Sequence, residues 1–402
     1  MKRISIILGC IVLLIVGILV IINQDQEQIL VEENTKNENT SLVFMLQEDD
    51  GTYSKSDSLP SNGYNFNATK SVCSNGATPT WEDNRLYLNN LTSNGTSCYL
   101  YFDIKPTAAN TILANSTVHE GTPDFSQVAT TDEGVWTAED DLGTSYYFRG
   151  AVENNYLKFA GYWWRIVRIN GDGSMRIIYD GTTAHVNGES STDRQIETSV
   201  YNGSREYSYY VGYTYEENLQ RPSSQDGGTA STIKGILDNW YTSNIASQEG
   251  LNDKAVSTPG FCNDRNTRSG DSWIASGTTF HYAAYERLYT NKTPTLECSN
   301  TNDIYTTKVG LITADEVSMA GGVGETANQS YYLYTGQNYW TMSPYSYFSG
   351  IAYVFTVWSG GDLGSYGVHS PIGVRPVINL SADVTLTGSG TMDDPYVVEG
   401  AE

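Results

Sequence analysis

The residues that could do covalent chemistry stand apart from one another. His119, His185, His281 and His369 are the only histidines. None belongs to an H-E-x-x-H run or flanks a G-x-S-x-G elbow. His281 lies in an apolar-aromatic stretch, as a core histidine would. Ser343 precedes Pro344 in an expected loop, and a nucleophile there needs a base that the sequence does not name. Asp315 and Glu316 are neighbours on an expected helix. They point in different directions and suit a helix N-terminus better than one acid–base site. No cysteine or histidine spacing matches zinc and no glycine pattern cradles a phosphate, so neither a metal nor a cofactor is expected.

The chain concentrates aromatic surface instead. Eleven tyrosine, tryptophan and phenylalanine side chains fall between positions 331 and 358. Rigid rings give large contact area at low entropic cost, which suits sugars and peptides. Tyr345, Tyr347 and Phe348 sit in an expected loop between Pro344 and Gly350. With Trp358 and Asp362 they form the expected ligand surface. Tyr353, Phe355 and Val357 alternate as core residues of a strand. Trp340, Glu316 and Arg375 read as scaffold. A buried arginine needs a carboxylate or several carbonyls, and an acid of the Thr-Ala-Asp-Glu helix or backbone carbonyls are the expected partners of Arg375.

The 402 residues carry a net charge of −23, with a pI near 4.4. Such a polyanion is repelled by nucleic acid phosphate and by anionic headgroups, so nucleic acid is not an expected partner. Cys10 falls in the first apolar run. In an oxidising compartment Cys73–Cys98 and Cys262–Cys298 are the economical pairing; buried free thiols are the alternative.

These residues need elements to hold them. Positions 4–22 are apolar and uncharged, follow Lys2 and Arg3, and are long enough to span a bilayer. A signal anchor over 1–23 is expected, with the N-terminus cytoplasmic and the bulk of the chain extracellular; a cleaved signal peptide and a lipoprotein box are the alternatives. Residues 24–40 read as a stalk, 41–105 as a small disulfide-linked β module, and 106–143 as an acidic linker with no calcium-loop spacing. Residues 144–380 form the main domain, and 381–402 a tail. Asn170-Gly171-Asp172-Gly173 between two β-type runs is the strongest hairpin signal. Residues 231–245 read as a helix capped by Ser231. Thr313 and Glu316 make a T-x-x-E capping box, and Gly321-Gly322 ends that helix. Helices among hairpins predict an α+β domain, with helices packed on one side of an antiparallel sheet.

The ordered blocks FAGYWWRIVRINGDGSMRIIYDG, STIKGILDNWY, VGLITADEV, YWTMSP and GVRPVINL resemble a family of secreted or membrane-anchored surface proteins of Gram-positive gut bacteria. The resemblance covers residues 122–380. Trp340, Gly373 and Arg375 are also similar to the closing pattern of the formylglycine-generating-enzyme branch of the C-type-lectin-like fold. That resemblance implies a C-type-lectin-like domain with a ligand-presenting surface. It does not carry the copper-binding cysteine pair of those enzymes, because no cysteine follows Cys298. The expected function is non-catalytic binding of a surface glycan or protein, in an adhesion setting. A diverged envelope enzyme and a purely structural envelope component are the alternatives.

Overall fold

The computed structural model describes residues 40–401, apart from 49, 61–63, 83–84, 92–94 and 225–226. The expected anchor at 1–23 and the stalk up to residue 39 lie outside the described residues. No helix among the described residues is long and apolar enough to cross a membrane. The chain divides into two compact units, Met1–Lys105 and Pro106–Glu402.

The first unit is a four-stranded sheet with a separate hairpin. Thr40–Gln47 lies between Tyr53–Ser56, antiparallel, and Thr96–Ile104, parallel; Tyr64–Cys73 closes the far edge. Residues 96–102 alternate as the period of a strand requires. Cys98, Leu100 and Phe102 point inward, and Tyr99 points out. Among the described residues, Phe44, Leu86, Leu88, Cys98, Leu100 and Phe102 form its buried core. Such a small core is thin for independent stability. Cys73 and Cys98 face each other across neighbouring strands and are disulfide-bonded. At a sequence separation of 25, the crosslink contributes roughly 3–4 kcal/mol on the chain-entropy model.

The second unit holds an eleven-stranded and a six-stranded sheet. At the centre of the larger sheet, Tyr162–Ile169 and Met175–Gly181 form a hairpin across the Asn-Gly-Asp-Gly turn, where Gly173 adopts φ +83°. Every residue of Met175–Gly181 is buried. Its other neighbour is Val377–Leu380, from the far end of the chain. The smaller sheet runs Glu197–Ser199, Ile372–Val374, Tyr339–Phe348, Ile351–Val357, Leu363–Gly367, with Phe280–His281 paired to Tyr339–Phe348. The helix Ala314–Ala320 packs against Gly143–Gly150 of the first sheet and against Tyr339–Phe348 and Leu363–Gly367 of the second. All seven of its residues are buried. Thr313 and Glu316 complete the capping box, and Gly321 ends the helix at φ +114°.

Three expectations need correction. The fold is mostly β, with 39% strand and 15% helix, and so is not the α+β, C-type-lectin-like arrangement expected. The helical signals fall where helices form, but those helices are short; Thr232–Tyr241, at ten residues, is the longest α-helix among the described residues. Nor are the sheets purely antiparallel, because Val118–His119 with Asp132–Asp140 and Tyr156–Phe159 with Tyr396–Val398 pair in parallel. The acidic stretch at 106–143 is no linker. Asp132–Asp140 pairs with Gly143–Gly150, and two of its four acids find cationic partners: Glu133 with Arg149, and Asp140 with Arg168. Finally, residues 381–402 are no free tail, since Leu386–Thr387 and Tyr396–Val398 extend the large sheet and Tyr396 is fully buried.

Candidate functional site

The turn between Ile351–Val357 and Leu363–Gly367 presents an exposed aromatic side chain, Trp358, at one end of the small sheet. The Trp358 N–H donates to the Asp362 carbonyl at 2.8 Å, and the Gly361 N–H to the Trp358 carbonyl at 2.8 Å. Gly361 takes φ +84°, which favours glycine. Asn338 Oδ1 accepts the Ser359 N–H at 2.7 Å and ties the turn to the preceding strand. This tight reversal directs Trp358 outward, and it is 41% exposed. Its indole does not float. A Cβ added at Gly364 would lie 2.1 to 2.6 Å from the indole Cε2, Nε1 and Cζ2. The ring therefore rests directly on the Gly364 backbone, a seat that any larger residue would fill. Tyr366, two positions on and so on the same face of the strand, stands 6.1 Å away with its ring tilted 55°.

Tyr345, Tyr347 and Phe348 do not join this shelf. Gly364 and Tyr366 pair with Thr356 and Val354, which places Trp358 on that face of the sheet. Tyr345 packs on Phe355, whose side chain points to the opposite face, with ring centroids 4.9 Å apart. There Tyr345 meets Tyr285 at 5.3 Å, Tyr289 at 5.9 Å and His281 at 6.0 Å in a half-buried aromatic cluster. Tyr289 and Tyr285 stack at 5.3 Å and His281 follows at 4.1 Å, so the rings of this cluster largely cover one another. Burial pushes the Tyr345 hydroxyl up to about 12. Tyr347 is buried and donates its hydroxyl to the Glu206 carbonyl at 2.7 Å. Phe348 is exposed at the far end of the hairpin, beside Ser349 and Gly350, both at positive φ. Asp362 is buried in the turn. Among the expected ligand residues, Trp358 therefore offers an open, seated ring. Gly364, Tyr366 and Asn338 were missed. The alternation of Gly364 and Tyr366 on one strand was visible, but which ring would cover the glycine was not.

The scaffold residues are deeply placed. Trp340 is fully buried, donates its indole N–H to the Ser199 carbonyl at 2.8 Å, and meets Tyr201 edge-on at 5.5 Å. Arg375 donates to the Tyr179 and Leu333 carbonyls, each at 3.1 Å, and to Asp180 Oδ1 at 2.9 Å. Its acid thus comes from the central strand and is shared with Arg194 at 2.8 Å; the Thr-Ala-Asp-Glu helix does not supply it. Glu316 serves different arginines. Its Oε1 accepts from Arg168 at 3.0 Å and Arg176 at 2.8 Å, while Oε2 accepts the Thr313 N–H at 2.9 Å. Burial alone would raise this carboxyl. The two guanidiniums and the backbone N–H outweigh it and hold Glu316 at about 2.

Beside this pair lies a chamber of about 30 Å³, lined among others by Arg168, Arg176, Asp264, Arg287, Asp315 and Ser343. It has room for one or two waters and not for a substrate. Its arginines are already engaged: Arg168 with Asp140 and Glu316, Arg176 with Glu316, and Arg287 with Asp264 and Asp315. The Cys262–Cys298 disulfide adjoins it. Among the described residues no group of three or more His, Cys, Asp or Glu side chains is arranged to hold a metal.

Fold and site together define a mostly β protein whose two units each carry one disulfide, with an arginine–carboxylate interior and one seated, solvent-facing indole. No family model, curated protein or solved structure matches the chain.

Proposed function

We propose that this chain is an extracytoplasmic surface protein, anchored through residues 4–22, that binds a glycan or protein ligand without catalysis. The observation that carries the reading is the Trp358 shelf. An indole held flat on backbone presents its outer face without losing side-chain freedom on binding, and such preorganisation favours recognition. The two disulfides agree with an oxidising, extracytoplasmic setting. The direct test is an array of glycans and surface proteins probed with the full chain in nanodiscs and with Trp358→Ala. A ligand captured by the parent chain and lost by the variant is the expected result. Silence of the parent chain across the array, with cell adhesion unchanged on deletion, would refute the function.

A further inference from the structure

We propose that the ligand of the Trp358 shelf is an uncharged glycan, held by stacking of a sugar ring on the indole; this rests on the ligand-binding function proposed above. Three observations point to that class.

The first is shape. One face of the indole is occupied by Gly364 and the other is open, with Tyr366 rising beside it at 55°. The result is a planar floor with a tilted ring beside it, an arrangement on which one face of a pyranose can stack. The C–H groups on a sugar face carry slight positive charge and complement the negative face of the ring. Hydroxyl and amide groups stand next to the floor. Tyr366 is half-buried, Ser359 is exposed, and Asn338 uses its Oδ1 on the Ser359 N–H, which leaves its two amide N–H donors for a hydroxyl.

The second is extent. A stable protein interface needs roughly 800 Å² on each partner with an apolar centre. No other exposed large apolar side chain comes from Ile351–Val357, Leu363–Gly367 or the turn between them. A single ring suits a sugar and is meagre for a protein.

The third is charge. Residues 338–374 contain no lysine or arginine and one acid, Asp362. Arg205 meets this sheet at Ala352 and His369, six strand positions from Trp358 and so about 20 Å along the strand. The chain as a whole carries −23. A uronate, sulfate or sialyl group would find no cation on these strands and a repulsive field around them.

The test uses the full chain in nanodiscs, with titration calorimetry against neutral probes (cellopentaose, mannopentaose, xylopentaose, chitopentaose) and anionic ones (oligogalacturonate, sialyllactose, heparin). Each is measured at low and high sodium chloride. Three variants accompany it. Trp358→Ala removes the ring. Gly364→Ala keeps a strand-compatible backbone but places a Cβ where the indole lies, and so unseats the ring. Trp358→Phe keeps a smaller flat face. Thermal melts confirm that each variant is folded. The expected result is binding of at least one neutral probe, insensitive to salt, about tenfold weaker in Trp358→Ala and Gly364→Ala, and partly restored in Trp358→Phe. Binding confined to anionic probes and lost with salt overturns the proposal, as does neutral binding that survives both alanine variants. Capture of a protein through Trp358, with no saccharide bound, also overturns the glycan class but leaves the ligand-binding function standing. A parent chain that binds neither saccharide nor protein overturns both.

Discussion

Replacing Glu316 by glutamine separates charge from shape at the joint of the two sheets. Glutamine can still complete the capping box with Thr313, so the helix start is preserved. What disappears is the negative charge facing Arg168 and Arg176. Arg168 keeps Asp140 at 2.6 Å. Arg176 keeps only neutral acceptors, Asn379 Oδ1 at 3.0 Å and the Gly260 carbonyl, while its side chain is 3% exposed. Leaving a buried guanidinium without its carboxylate destabilises by about 3–5 kcal/mol. The acid limb gives an independent measure. Glu316 is held at about 2 against an ordinary 4.5. A carboxylate depressed on folding contributes stability that is fully present above its unfolded value, and this is lost as pH falls from there toward the folded one. At 1.36 kcal/mol per unit the contribution is about 3 kcal/mol, lost between pH 4.5 and 2. Burial pulls Arg176 below its ordinary value and opposes the pair. The carboxylate's direction governs, because it faces two guanidiniums and a backbone donor. The assay is urea denaturation followed by near-ultraviolet circular dichroism, from neutral pH down to about pH 3. Glu316→Gln should be several kcal/mol less stable at neutral pH and should show a shallower acid limb than the parent. A variant within about 1 kcal/mol of the parent, with an unchanged acid limb, would refute the assignment.

Arg375→Ala leaves Asp180 with Arg194 alone and takes one donor from the Tyr179 and Leu333 carbonyls, of which Leu333 keeps the Tyr339 hydroxyl, so a loss of about 3–5 kcal/mol is expected; an unchanged melting curve would remove the structural role. Trp340→Ala should lower stability by about 3–5 kcal/mol, whereas Trp358→Ala should shift the same urea midpoint far less, because one ring is buried and the other open. Converting Cys262 and Cys298 to serine opens a loop of 36 residues and should cost about 4 kcal/mol on the chain-entropy model, read by thermal melting. Non-reduced peptide mapping should recover 73–98 and 262–298 linkages, and a free thiol at Cys262 would contradict the pairing.

Local signals carried most of what the sequence made visible. Asn170-Gly171-Asp172-Gly173 marked a hairpin because its geometry is set within four residues. Thr313 and Glu316 marked a helix start for the same reason. Both cysteine pairs followed from short separations. What stayed hidden depends on register between distant strands. Arg375 finds Asp180, 195 positions earlier, and Glu316 finds Arg168, 148 positions earlier; no local pattern distinguishes those partners. The acids of 132–140 looked solvated because their arginines lie elsewhere in the chain. Trp358 and Tyr345 seemed one surface because they are close in sequence, yet strand alternation sends them to opposite faces. The α+β expectation gave too much weight to a few clear caps, since a cap announces where a helix starts and not how long it runs.

The central strand Met175–Gly181 is completed by Val377–Leu380, and Tyr156–Phe159 is completed by Tyr396–Val398. Both completing strands follow nearly all of the rest of this unit in the order of synthesis. The second unit therefore cannot close its larger sheet while its C-terminal segment is still being made, and Arg168 and Arg176 wait without Glu316 for much of that time. Pairings of such sequence separation fold slowly and leave strand edges open to misassociation. Order in this unit arrives late and from the C-terminal end, so a chain stopped before residue 377 would carry nearly all of the unit's sequence and still lack the strands that finish it.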